Sequence, residues 1–296
     1  MISMILFTRY ILLGMTALFI SSCGSKQYLI QEKIKENVYF DEPVHFAEIQ
    51  KKKKWNGDKL AFLFPHQILP NLDSVAHQFA PLVEDGYRIV VLTPPGNDIL
   101  RIRGVMSFDS QVHPISEFIF QYISKLEEKY EETEITFIGE GLGNLPALRI
   151  GTNLDVQKWI LVNPLYGTLE SNLQMMGVEE GPQRDSLMSF LGLNNSRQWQ
   201  NLVSFISERK DPDLLIDGYP LKYLHEIKDI SMDQLLFRID DPVLISSDPN
   251  FPWSSTFFRR ELKKKVDKRS NFIWVNYTGI KADDQVNLMA EMKAFL

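Results

Sequence analysis

Short apolar runs alternate with longer amphipathic stretches along most of this chain. Leu60 to Phe64, Arg88 to Leu92, Lys158 to Val162, Pro242 to Ser246 and Asn271 to Tyr277 have the length and the β-branched or aromatic content of buried strands. Helical spacing fills Leu72 to Val83, His113 to Tyr130, Ser254 to Val266 and Asp283 to Leu296. Between these lies Glu134 to Gly151, where the strand residues Ile135, Phe137 and Ile138 stop at Gly139, Gly141 and Gly143, and Leu142 to Ile150 can continue as a helix. Strands alternating with helices predict right-handed crossovers and an α/β fold: a mostly parallel sheet covered by helices on both faces. From Tyr166 to Leu236 the strand pattern is absent, and breakers such as Gly181-Pro182 and Asp211-Pro212 separate amphipathic pieces. That region predicts a helical cap insertion over the carboxyl ends of the strands. A connector packed on the sheet edge is the plainer alternative.

Composition narrows the function classes. A chain of 296 residues with 44% hydrophobic content can bury one sizeable core, and a single domain is expected. The net charge of -6 argues against a general nucleic-acid binder, which needs surplus Lys and Arg to displace phosphate counterions. No group of His, Cys, Asp and Glu has metal-ligand spacing, so no metal is expected. Gly139, Gly141 and Gly143 lack the Lys-Ser/Thr of a phosphate loop and the full dinucleotide fingerprint, so no cofactor is expected either. The basic runs Lys51 to Lys54 and Arg259 to Lys265 read first as solvated faces, and second as contacts for anionic head groups or an acidic partner.

The first residues look like a targeting signal. Arg9 is the only charge before the apolar run Tyr10 to Ile20, which falls short of the about 20 residues a bilayer span needs. Ile20-Ser21-Ser22-Cys23 resembles a bacterial lipobox and carries the only cysteine of the chain. The resemblance implies a signal peptide over residues 1–22, lipidation of Cys23 and attachment to a membrane, with residues 23–37 as a flexible tether and residues 38–296 as the folded domain. The absence of acidic residues directly after Cys23 favours an outer-membrane location facing the periplasm. An uncleaved anchor or an ordinary signal peptide is the alternative, and no disulfide within the chain is possible in any case.

The order of parts from about Val38 onward resembles the α/β-hydrolase fold. Gly139-Glu140-Gly141-Leu142-Gly143 has the glycine spacing of the G-x-S-x-G nucleophile elbow. Leu60 to His66 falls where that family carries the strand leading to its oxyanion loop, and Gly86 to Asn97 resembles its next strand and turn. Trp159 to Pro164 resembles the strand after the elbow helix, and Asp241 to Asp248 the strand that delivers the acid. The resemblance implies an α/β-hydrolase-like domain with its cap over residues 166–236. It also implies a Ser, His and acid triad, which the sequence departs from. Gly141 stands at the nucleophile position, where a strained turn favours a residue without Cβ. None of the five histidines follows the last strand, and Lys281 comes closest to the family's histidine position. Asp248 is left as a relic acid or a turn residue before Pro249. Pro65 takes a backbone donor from the oxyanion loop, although the N–H of Leu142 remains.

These losses lead to the expectation that the chain is not an enzyme. It is expected to be a non-catalytic binding or scaffolding subunit of an envelope complex, with a protein partner and a membrane anchor at Cys23. A receptor holding a small molecule under the cap is the second expectation, with His66, Gln67, Gly141 and Leu142 as ligand contacts. For His66 the alternatives are a ligand contact or unconventional base and a histidine bonded to the cap. The third expectation is a hydrolase with a displaced nucleophile such as Ser107, Ser246 or Ser247.

Overall fold

The computed structural model describes residues 28–35, 44–52, 55–66, 71–93, 108–130, 132–179, 215–216, 219–249, 251, 253–276 and 282–296, with isolated positions between 185 and 206. Strands are β1 (Tyr28–Lys35), β2 (Val44–Lys51), β3 (Lys59–Phe64), β4 (Arg88–Thr93), β5 (Glu134–Glu140), β6 (Lys158–Val162), β7 (Leu215–Ile216), β8 (Tyr219–Pro220), β9 (Val243–Ser247) and β10 (Phe272–Asn276). The helices are α1 (Leu72–Gln78), α2 (Ala80–Glu84), α3 (Phe108–Glu127), α4 (Asn144–Gly151), α5 (Leu169–Glu179), α6 (Leu221–Ile227), α7 (Met232–Leu236), α8 (Thr256–Val266) and α9 (Ala282–Phe295). The main sheet has eight strands in the order β1-β2-β4-β3-β5-β6-β9-β10. The pairs β1/β2 and β2/β4 are antiparallel, and every pairing from β4 through β10 is parallel.

The central strands read as unbroken apolar runs because both of their faces are covered. Side chains alternate across the sheet, so Leu60, Phe62 and Phe64 of β3 enter one core with Phe137 and Trp159, while Ala61 and Leu63 enter the other with Ile138, Ile160 and Leu244. Residues of α3, α4 and α8 close the first core, and those of α1, α2 and α9 the second. Phe62 and Phe137 are fully buried and their rings meet edge to face at 5.6 Å, each contributing about 2 kcal/mol through burial.

Three departures from the expected elements have local causes. Residues 28–35 fall in the stretch expected as a tether, yet they form β1. Tyr28 and Ile30 pack against the second core, a pattern hidden by the charged residues Glu32, Lys33 and Lys35. The helix expected over Leu72 to Val83 is broken at Phe79, where Pro81 starts a second short helix. Helix α3 begins at Phe108, ahead of the expected His113, and carries Pro114 within its first two turns. In the expected cap region, α5, the β7/β8 hairpin, α6 and α7 bring Leu173, Tyr219, Leu224 and Leu236 into the first core. Among the described residues no helix is long and apolar enough to cross a membrane. Cys23, Gln67, Ser107 and Lys281 lie outside the described residues.

Candidate active site at the glycine turn

The carboxyl ends of β3, β5, β6 and β9 meet at one edge of the parallel sheet, where an open α/β sheet offers its ligand crevice. β5 leaves the sheet at Glu140 in extended conformation, turns at Gly141 with φ +52°, and passes through a single 3₁₀ turn, Gly141–Gly143, into α4. That positive φ requires glycine or a strained residue. Gly143 is needed for a different reason, close approach: a Cβ there would stand 2.3 Å from the carbonyl oxygen of Phe64. Asn144 is fully buried and ties the turn down, its amide donating to the carbonyls of Gly141 at 2.8 Å and Val162 at 2.9 Å. Asn144→Ala is therefore expected to cost about 2 kcal/mol, read as a lower denaturation midpoint at unchanged m-value.

The space at the nucleophile position is occupied. A Cβ on Gly141 would lie 2.4 Å from Nδ1 of His66, 2.7 Å from its Cγ and 2.9 Å from Cζ of Phe251. Nδ1 of His66 accepts from the backbone N–H of Leu142 at 3.2 Å, which assigns the proton of the neutral ring to Nε2. The imidazole is flanked by Phe251 at 5.5 Å and Tyr219 at 6.0 Å between ring centroids, and the hydroxyl of Tyr219 donates to the carbonyl of His66. His66 is thus both bonded to the expected cap region and placed at the turn. The fold brings His66, Gly141 and Leu142 together.

Two residues that sequence reasoning passed over complete this cluster. The carboxylate of Glu140 accepts from the amide of Gln78, at the end of α1, at 3.3 Å and from the backbone N–H of His66. Burial raises its pKa above the ordinary 4.5, opposed by attraction to the His66 ring and by these two hydrogen bonds. The folded protein then holds this proton more tightly than the unfolded chain does. Stability consequently falls as pH rises from 4.5 through the raised value, and the penalty is absent below 4.5. Glu140→Gln should melt above the wild type at neutral pH and level with it near about pH 4. A variant that melts lower at pH 8 would contradict this assignment.

Asp248 follows β9, where its backbone N–H donates to Oδ1 of Asn163 at 2.6 Å. Asn163 has φ +52°, the one positive φ at a non-glycine among the described residues, and such strain is concentrated at functional sites. Asp248 faces Arg259, whose pKa is lowered by burial and supported by Asp248. Of the other histidines, His77 and His113 are exposed on α1 and α3, and Nδ1 of His225 on α6 lies 2.8 Å from the carbonyl of Ile206. The Asp248 carboxylate thus lies within Coulombic reach of the Arg259 guanidinium. Ser246 and Ser247 are buried within β9, away from any elbow-like turn, and neither is presented as a nucleophile. A cavity of about 650 Å³ lined by Phe120, Leu126, Glu134 and Leu154 opens at the amino ends of β3 and β5, at the opposite end of the sheet.

The fold is that of the α/β-hydrolases. Over 90% of its length the chain matches the crystal structure of the esterase domain of a Rhodothermus marinus protein, with 97% of that chain covered, a TM-score of 0.55 and 13% identity. It matches a soluble variant of the monoglyceride lipase of Saccharomyces cerevisiae, solved with a substrate analogue, over 92% of this chain and 95% of that one, with a TM-score of 0.59 and 12% identity. A thermostable carboxyl esterase of Bacillus coagulans, solved with glycerol, covers 90% and 98% with a TM-score of 0.55 and 12% identity. No family model and no curated protein matches the chain.

This comparison corrects two expectations, that the chain is not an enzyme and that it is a non-catalytic binding or scaffolding subunit. The structures it resembles are esterases and lipases. The physical reason for the misreading lies at the turn. Gly141 and the lack of a histidine after the last strand suggested lost chemistry, whereas an imidazole stands over Gly141 with the half-buried carboxylate of Glu140 hydrogen-bonded to its loop. His66 and Phe251 stand over Gly141, and the Leu142 N–H donates to Nδ1 of His66, so any ligand entering this turn must displace the imidazole.

Proposed function

We propose that this chain is a carboxylic-ester hydrolase that activates water directly with His66 and forms no acyl-enzyme on a serine. The observation that carries the proposal is the His66 imidazole at the nucleophile position, its Nδ1 lone pair at the N–H of Leu142. An ester carbonyl entering the turn displaces Nδ1 and accepts from that N–H, and the lone pair so released takes a proton from water. Water oxygen bonds to the acyl carbon, and the oxyanion is held at the start of the elbow helix. The bond to the alkoxy oxygen then breaks, and the imidazolium returns its proton to that oxygen, giving an acid and an alcohol. Glu140, hydrogen-bonded to the same loop, supplies the negative charge that steadies the imidazolium.

Soluble aryl esters of increasing acyl length test this, read together with labelling by a fluorophosphonate. Turnover without a covalent adduct is expected. A stable adduct on one serine, abolished with activity by its Ser→Ala variant, would sink the proposal, and so would failure to hydrolyse any ester in the series.

The leader over residues 1–22, with lipidation at Cys23 and residence in a bacterial envelope, belongs to the same proposal. Its support is the lipobox-like Ile20 to Cys23 ending the apolar run. Incorporation of labelled palmitate that survives in Cys23→Ala would remove it.

A further inference from the structure

Helix α8 and the turn after it carry an unusual charge for this chain. Residues 259–269 hold seven cations against two carboxylates, a net +5 within a protein of net -6. Leu262 and Val266 bury the inner side of the helix. On the outer side Phe257, Arg260 and Lys264 recur at three- and four-residue spacing and form one exposed row, with Lys265 exposed beside it and Lys268 exposed in the turn that follows the helix. An ordinary solvated helix balances its charges along the surface. Here Lys263 pairs with Asp267 at 2.8 Å and Lys264 of the row with Glu261 at 2.6 Å, so both carboxylates are used and Arg260, Lys265 and Lys268 make up the positive surplus of this face. At the end nearest the site Phe257 is 45% exposed, its ring against Phe258 at 5.3 Å. Phe251, which touches His66, lies just upstream of the same helix.

We infer that the outer side of α8 is a docking face for an anionic lipid surface. A row of cations with one aromatic ring at its end suits a plane of negative head groups: the cations lie among the phosphates and the ring enters the interface. Lysines predominate on this face, and a lysine is a flexible point charge without the planar fork that a shaped carboxylate partner selects. This face is separate from the residues that perform the proposed hydrolysis, so the two ideas fail independently.

Co-sedimentation of the full chain with vesicles tests it, comparing pure phosphatidylcholine with phosphatidylcholine holding about one-third phosphatidylglycerol. Each cation near an anionic surface strengthens partitioning roughly fivefold, so the wild type is expected to prefer the anionic vesicles by about a hundredfold at low salt. High salt should erase that preference. The variant R260Q/K264Q/K268Q should lose most of it while hydrolysing a soluble ester, if the wild type does, at the wild-type rate and keeping its circular dichroism. Phe257→Ser should weaken binding to anionic vesicles further. Equal binding to both vesicle types, or a triple variant that binds like the wild type, overturns the inference. So does binding to neither, the result expected if the row meets an acidic protein.

Discussion

Replacing His66 with alanine is expected to lower kcat/KM for a soluble ester by about a thousandfold, the scale set by loss of a positioned general base. The fold should survive, because the imidazole is half-buried and belongs to neither hydrophobic core. Its removal forfeits one hydrogen bond to Leu142, about 1 kcal/mol. A large fall in rate with a small fall in melting temperature separates a base from a structural prop. Glu140 sharpens the test. Its carboxyl is pushed up by burial, and only the ionised form can balance an imidazolium, so kcat should climb with pH through that raised value. Glu140→Gln should flatten this limb and lower the rate by about tenfold. An unchanged rate in His66→Ala would remove His66 from the chemistry altogether.

The central fold was legible because its signals are local. The runs that became β3, β4, β6 and β9 are bounded by turn residues and lie within a residue or so of the expected positions. β1 was hidden because an antiparallel edge strand shows a polar face, with Glu32 and Lys33 masking Ile30, and β2, which lies inside the sheet, because His45, Glu48 and the lysines after Gln50 mask Phe46 and Ile49. The glycine turn was also legible from spacing, as was the presence of His66 near it. What spacing could not convey is that β3 and β5 are neighbours in register, Phe64 beside Gly139, which brings a histidine 75 residues away in sequence into the gap at Gly141. Glu140 was visible as the acid inside the G-x-G-x-G stretch, and its meaning depended on burial and on Gln78, neither of which a linear pattern carries. Asn163 shows the same limit, since an asparagine at the end of a strand announces a turn and reveals nothing of its bond to Asp248.

Placing at Gly141 the serine of the nucleophile-elbow motif is expected to damage the protein and to yield no serine hydrolase. A side chain there adopts φ +52°, which costs about 1–2 kcal/mol for a non-glycine residue. Its Cβ would sit 2.4 Å from Nδ1 of His66 and 2.9 Å from Cζ of Phe251, so both rings must move at a further cost of about 1–3 kcal/mol. A combined loss of about 3 kcal/mol lowers the melting temperature of a domain this size by about 9 °C. Gly141→Ala should lose as much, since the clash arises at Cβ and owes nothing to the hydroxyl. The contact with His66 also predicts a coupling: in a His66→Ala background the ring is gone, and Gly141→Ser should cost about 1 kcal/mol less than it does alone. Strictly additive losses would show that the two positions do not compete for the same space. A Gly141→Ser protein as stable as the wild type and labelled by a fluorophosphonate would go further, placing the imidazole elsewhere and returning the turn to serine chemistry.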